Sequence, residues 1–241
     1  MSKQYKGKTC VYCAIQGSSS TGDHVVARSF FSSDERDNLP QVPACPGCNT
    51  DKSALETYLA ALLPQGARHQ EDVSAYQAES RRRIDKNQKL FRELKAGAIT
   101  SSEGGRIGKS VAEIMLPIDS SRLLELSKYI AKGLLFYHWQ VIVPKDQVIH
   151  SQFMSDVGES NFDNLVSDLR KKAADAPLDD VLRTTGLVQL GRETVTYEGL
   201  FSPLDEPFSV WRLNFYRVML GMPGVDEPTS SVMMLIPSKP A

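Results

Sequence analysis

The chain has 241 residues, with 28 Lys and Arg against 29 Asp and Glu, a net charge of -1, 41% hydrophobic and 24% charged residues. This is the composition of an ordinary globular protein with material for a core. It holds no uninterrupted apolar run of the length a membrane span needs, and it is no polycation that would coat a duplex through many phosphate contacts. The basic first residues lead into no apolar stretch, so no secretory leader is expected. The protein therefore reads as cytoplasmic, where its four cysteines are expected as thiols or metal ligands and not as disulfides.

In chain order, the knuckle Cys10-Val11-Tyr12-Cys13 comes first, followed by the turn-rich stretch Gln16–Gly22. Short strand-like runs follow at Val25-Val26 and Ser29–Phe31, then Val42-Pro43-Ala44 leads into the second knuckle, Cys45-Pro46-Gly47-Cys48. From Asn49 the spacing of Leu55, Leu59, Leu62 and Leu63 predicts a helix that Pro64 and Gly66 end. Residues 69–96 read as a second, basic helical stretch carrying Arg81, Arg82, Arg83, Lys86, Lys89, Arg92 and Lys95, and Ala98–Lys109 as a linker. Asp119 is a good N-cap for a third helix reaching Trp139, whose wide apolar stripe predicts burial. Val141–Val143 reads as a strand and Asn161–Ala174 as an amphipathic helix. The tail is strand-like at Leu187–Leu190, Thr194–Phe201, Val210–Phe215 and Val232–Ile236, with Trp211, Leu213 and Phe215 alternating against Arg212 and Asn214.

Two Cys-x-x-Cys pairs suit tetrahedral Zn²⁺, because a two-residue gap lets both thiolates of a turn reach one ion. Cys10, Cys13, Cys45 and Cys48 are the expected ligands, four buried free thiols being the alternative. The gap from Cys13 to Cys45 is longer than that of a simple zinc ribbon, so something is inserted between the knuckles. The insert holds Asp23-His24-Val25-Val26-Ala27-Arg28, then Asn38-Leu39, and it runs into Cys48-Asn49-Thr50-Asp51-Lys52-Ser53.

In order, spacing and residue type, residues 8–63 resemble the HNH endonucleases, with Asn49 where the third signature histidine often stands and Ala27 where many members have Pro. The resemblance implies a zinc-stapled ββα-metal module in which His24 is the general base. Asp23 and Asn49 would hold a catalytic Mg²⁺ or Mn²⁺, Asn38 would orient His24 through the backbone, and Arg28 and Lys52 would lie close to the phosphates. The chemistry agrees: a histidine titrates near neutral pH, carboxylate and amide oxygens suit a hard cation, and phosphodiester hydrolysis needs that cation against the developing charge. One difficulty is geometric. Neighbouring residues of a regular strand face opposite sides, so Asp23 and His24 are expected on irregular backbone, for which Gly22 would allow.

The expected fold class is α+β: an N-terminal zinc-stapled ββα-metal module, treble-clef-like, over residues 1–66, a basic helical connector over 67–100, and an α+β domain with a mostly antiparallel sheet over 101–241. The last would recognise substrate, regulate, or bring copies together into a homo-oligomer. The expected activity is metal-dependent hydrolysis of nucleic acid, with DNA the first choice of substrate and no membrane partner. The alternative is a zinc-knuckle adaptor without catalysis, binding nucleic acid or protein. Gly104–Ser110 is a near miss for a phosphate loop, its first glycine one residue short of the required spacing. His69, His138 and His150 lack metal-ligand spacing, and His138 reads as a core or helix-end residue.

Overall fold

A computed structural model describes residues 3–66, 73–97, 99–101, 113–115, 118–154, 156–172, 182–203, 207–216 and 232–236. Gly104–Ser110, His69 and the start of the basic stretch lie outside them.

A short antiparallel ladder pairs β1 (Thr21–His24) with β2 (Gln41–Ala44), and α1 (Pro46–Leu62) follows directly. The helix begins three residues earlier than its leucine spacing suggests, because the knuckle itself is its first turn. Cys45 is the N-cap, its sulfur accepting from the Cys48 amide at 3.5 Å, and Pro46 occupies the first helical position, where a missing N–H costs nothing. Val25-Val26 and Ser29–Phe31 are not strands. They are buried residues behind β1 and a 3₁₀ turn (Arg28–Phe30) that aims Phe30 into the core.

The basic stretch splits into α2 (Val73–Lys86) and α3 (Gln88–Gly97). Asn87 makes the break, its Oδ1 accepting the Leu90 amide at 3.1 Å as an N-cap would. β3 (Ile99–Ser101), inside the expected linker, pairs antiparallel with β4 (Glu113–Met115), which lies beyond it.

α4 (Ser120–Trp139) starts on Asp119, whose carboxylate accepts the Ser121 amide at 3.0 Å, and stops at Gln140 in a left-handed conformation. Val141–Val143 is irregular and not the strand expected there; Val143 is buried side-on by the core instead. Beyond it come β5 (His150–Phe153), α5 (Asp156–Lys172), β6 (Arg183–Leu190), β7 (Val195–Ser202), β8 (Phe208–Phe215) and β9 (Val232–Ile236). The five strands form one antiparallel sheet in the order β5-β9-β8-β7-β6.

Period-two alternation divides that sheet's residues between two cores. Tyr197, Phe201, Trp211, Leu213 and Phe215 face α4 and the zinc module, while Leu200 and Val210 face Phe162 and Val166 of α5. On the α5 side Arg212 reaches Glu159, Asp163 and Glu198 at 2.8, 3.0 and 2.7 Å. The module shares the first of these cores. Phe30 lies 5.4 Å from Phe215, ring to ring, and the Tyr216 hydroxyl donates to the Phe30 carbonyl at 2.5 Å. At the other end, the backbone N–H of Arg192 donates to Glu35 at 2.8 Å. At Gly133, α4 packs close against the module, since a Cβ there would lie 2.8 Å from Val25, the residue after His24. Mixed helices and antiparallel sheets thus agree with the α+β expectation. No helix among the described residues is long and apolar enough to cross a membrane.

Candidate active site and metal centre

The two knuckles converge. The four sulfurs of Cys10, Cys13, Cys45 and Cys48 all lie within 4.8 Å of one another, with Cys13 and Cys45 at 3.9 Å. Thiolates around tetrahedral Zn²⁺ with bonds of about 2.3 Å sit roughly 3.8 Å apart, so the cluster fits that ion. The Cys10 sulfur also accepts the Cys45 amide at 3.3 Å, which ties one knuckle to the other. Burial pushes the Cys10 and Cys48 thiols up, and a divalent cation is what would draw their protons off.

Next to the cluster, the β-ladder presents Asp23 and His24. The register runs unbroken from Thr21 opposite Ala44 to His24 opposite Gln41, so the backbone is regular and the expected irregularity is not there. Gly22 has another reason: a Cβ there would come within 2.4 Å of the Tyr5 ring. Asp23 accordingly faces away from His24, towards α1 and the first knuckle. Its Oδ2 accepts the Tyr12 hydroxyl at 2.6 Å and lies 3.0 Å from the Lys52 ammonium, and neither contact falls on Oδ1.

Lys52, expected at the phosphates, is wholly buried. Its ammonium donates to the His24 main-chain carbonyl at 2.8 Å and pairs with both Asp23 and Glu56, the latter one helical turn on. Burying a lysine is costly unless the charge is paired and hydrogen-bonded, and here two carboxylates and a carbonyl meet it. Glu56 is 6% exposed; burial pushes its carboxyl up to about 7, against the pull of Lys52 and of the Ala27 backbone. Burial also holds the Tyr12 phenol well above its usual range, with the Asp23 charge adding to it, so Tyr12 is a fixed donor.

His24 is half-buried. Its Nε2 lies 2.9 Å from Nε2 of Gln41, and since that amide nitrogen can only donate, the ring nitrogen is the acceptor. Burial lowers the imidazolium pKa below its ordinary 6.5; Asp23 works against this, while Arg28 and then Lys52 add to it. Burial thus favours the neutral form of the ring. Arg28 is exposed at the start of its 3₁₀ turn, within electrostatic reach of His24. Asn49 sits half-buried on α1 about one turn before Lys52, on the same side of the helix. A carboxylate from β1 and an amide from α1 are a donor set that suits Mg²⁺ or Mn²⁺. Asn38 is exposed in a left-handed turn, φ 57°, and the backbone bond next to His24 runs instead from the Val25 amide to the Pro40 carbonyl at 2.8 Å.

Sequence reasoning missed Tyr12, Gln41 and Glu56. Glu56 had a signal, its i,i+4 spacing from Lys52; Gln41 becomes visible only through the register of β1 with β2. Behind Tyr12 stands α4: Lys132 donates to the Tyr12 carbonyl at 2.9 Å, and the Tyr129 ring meets the Tyr12 ring edge-on at 5.2 Å.

The basic stretch lies beside the same module. Arg83 bonds the Ser29 and Ala60 carbonyls, so it is a strut, while Arg82, Lys86 and Lys89 are exposed. Ser29, Thr57, Arg83, Lys86 and Asn87 line a cleft of about 510 Å³ there.

A cysteine cluster stapling a two-stranded ladder to a helix, with Asp-His at the strand end, defines a zinc-type ββα module. Residues 10–55 match the model of the HNH endonuclease family. No curated protein and no solved structure matches the chain.

Proposed function

We propose that this protein is a divalent-cation-dependent endonuclease that hydrolyses phosphodiester bonds of nucleic acid, DNA first, with His24 as general base. The observation that carries the reading is the setting of His24: an imidazole at the end of β1, its Nε2 an acceptor at the exposed contact with Gln41, inside the segment that matches the HNH model, with burial favouring its neutral form. Water replacing the Gln41 amide at that nitrogen would give up its proton there as it attacks phosphorus. A proton acceptor positioned in this way is worth on the order of 10²–10⁴ in rate. Asp23 and Asn49 are the residues that would hold Mg²⁺ or Mn²⁺, which supplies neutralisation of the charge gathering on the phosphate oxygens. Arg28, exposed and within electrostatic reach of His24, is the side chain that would hold a phosphate. Zn²⁺ on the four cysteines is structural, and the reducing cytoplasm suits such a site.

Residues 101–241 act on this reading as a brace, gripping Tyr12 through Lys132 and Tyr129. A non-catalytic adaptor is the second reading, and two observations favour it: Asp23 faces away from His24 on a regular strand, and its Oδ2 is already engaged by Tyr12 and Lys52. Incubation with supercoiled plasmid, single-stranded DNA and RNA, each with Mg²⁺, Mn²⁺ or EDTA, separates the two. Metal-dependent nicking supports the nuclease; binding without cleavage under every condition supports the adaptor.

A further inference from the structure

Lys52 poses an electrostatic problem for the site. An ammonium 3.0 Å from Asp23 neutralises the carboxylate that, if the protein is a nuclease of this kind, must hold a divalent cation. A single ion pair there would leave no net charge for the metal. Glu56 changes this: buried one turn further along α1, it takes Lys52 from the other side and accepts from the Ala27 backbone. Two carboxylates around one ammonium keep one net negative charge in the cluster.

We infer that Glu56 is a positioning residue for the cation site, a buried counter-carboxylate that shares the charge of Lys52 and so leaves Asp23 the negative charge a divalent ion needs. Lys52 then serves geometry, fixing the His24 carbonyl and Asp23 together, and Glu56 offsets the electrostatic cost of placing an ammonium there. The inference rests on Asp23 being a cation ligand. Its specific content is that the site responds to the net charge of Asp23, Lys52 and Glu56 together.

The test is direct Mn²⁺ binding, read by electron paramagnetic resonance on the zinc-loaded full-length chain at pH 8, above the value of about 7 to which burial pushes Glu56. Removing one negative charge beside a divalent ion weakens binding by on the order of tenfold. Glu56→Gln is expected to bind Mn²⁺ about that much more weakly, with zinc content and melting temperature near the parent's. In cleavage assays its loss should appear in the Mn²⁺ concentration for half-maximal rate, and kcat should recover at saturating Mn²⁺. The double change Lys52→Met with Glu56→Gln restores the net charge and should regain most of the affinity, an outcome that a packing role for Glu56 would not produce. Glu56→Gln binding Mn²⁺ as the parent does, or a double variant that keeps the parent's zinc content and fold yet binds no better than the single one, overturns the inference. Asp23→Asn stands apart: if it binds Mn²⁺ as the parent does, the cation reading fails and takes the inference with it. If it loses Mn²⁺ while Glu56→Gln does not, only the inference fails.

Discussion

The ammonium of Lys52 donates to the main-chain carbonyl of His24 across 2.8 Å, from a position with no solvent exposure. A residue whose place in the motif suggests a phosphate contact therefore works inside the module, bolting α1 to β1 directly beneath the proposed base. Its side chain reaches Asp23 as well, so one cation serves the two neighbouring residues whose side chains a regular strand points apart.

Lys52→Ala should accordingly unfold the module before it weakens substrate binding. It leaves Asp23 and Glu56 as buried carboxylates without their shared counter-charge, a class of change that costs about 3–5 kcal/mol. Urea unfolding should show the loss. A stable variant whose log affinity for DNA depends less steeply on log salt, by about one unit, would instead make Lys52 a phosphate ligand.

The zinc cluster gives a second expectation. Cys45 is at once a sulfur of the cluster and the N-cap of α1, so Cys45→Ser removes a ligand at the point where the helix starts. Structural zinc carries much of the folding free energy of such modules, and the core here continues from the knuckles into α4 and the sheet. Metal analysis should find about one Zn²⁺ per parent chain and little in the variant, with melting temperature falling in step. A parent chain purified without chelator and free of zinc would contradict this.

The cysteine cluster, and the make-up of the candidate site beside it, are legible in the sequence. Paired Cys-x-x-Cys spacing, Asp-His and the Asn49/Lys52 step along a helix are local signals, and local signals survive without knowledge of partners. What escapes depends on register or burial. Gln41 meets His24 only because β2 runs antiparallel at that offset, and Gly22 is required by the ring of Tyr5, seventeen residues away. The role of Lys52 is hidden for the same reason, since a motif states which residue occurs and not which way it faces. In the fold, strong alternation makes β8 readable, whereas Val141–Val143 has a strand's composition and packs as irregular chain against the core.

The basic stretch can be tested apart from catalysis. Arg82, Lys86 and Lys89 are exposed beside the cleft at Ser29, while Arg83 is spent on backbone carbonyls. Changing Arg82, Lys86 and Lys89 together to Gln should weaken DNA binding. The log-log salt slope should fall by up to about one unit for each phosphate these side chains neutralise in the parent. Zinc content and the cleavage step at saturating substrate should be unchanged. An unaltered slope would mark these residues as a solvated face.

His138 supplies a pH expectation. Its Nε2 lies 3.0 Å from the Tyr197 hydroxyl, its ring sits among Trp139, Trp211 and Tyr197, and burial pushes its imidazolium down. With a folded pKa below the unfolded value of about 6.5, the unfolded chain takes the proton first. The stabilising effect is therefore complete above that pH and is lost as pH falls through it. Urea unfolding at pH 7.5 and 5.5 should show a smaller acid loss in His138→Gln than in the parent, the comparison removing whatever zinc release adds to both. Equal losses would contradict the assignment.

Proton transfer to His24 is the step on which the proposed nuclease stands or falls. It is probed by the single-turnover rate of DNA cleavage by parent and His24→Ala at saturating Mn²⁺, with DNA binding and zinc content measured on the same preparations. The variant's rate is expected to be lower by on the order of 10²–10⁴, with binding and zinc content unchanged. A His24→Ala chain that cuts at the parent's rate would contradict the assignment of His24 as the base.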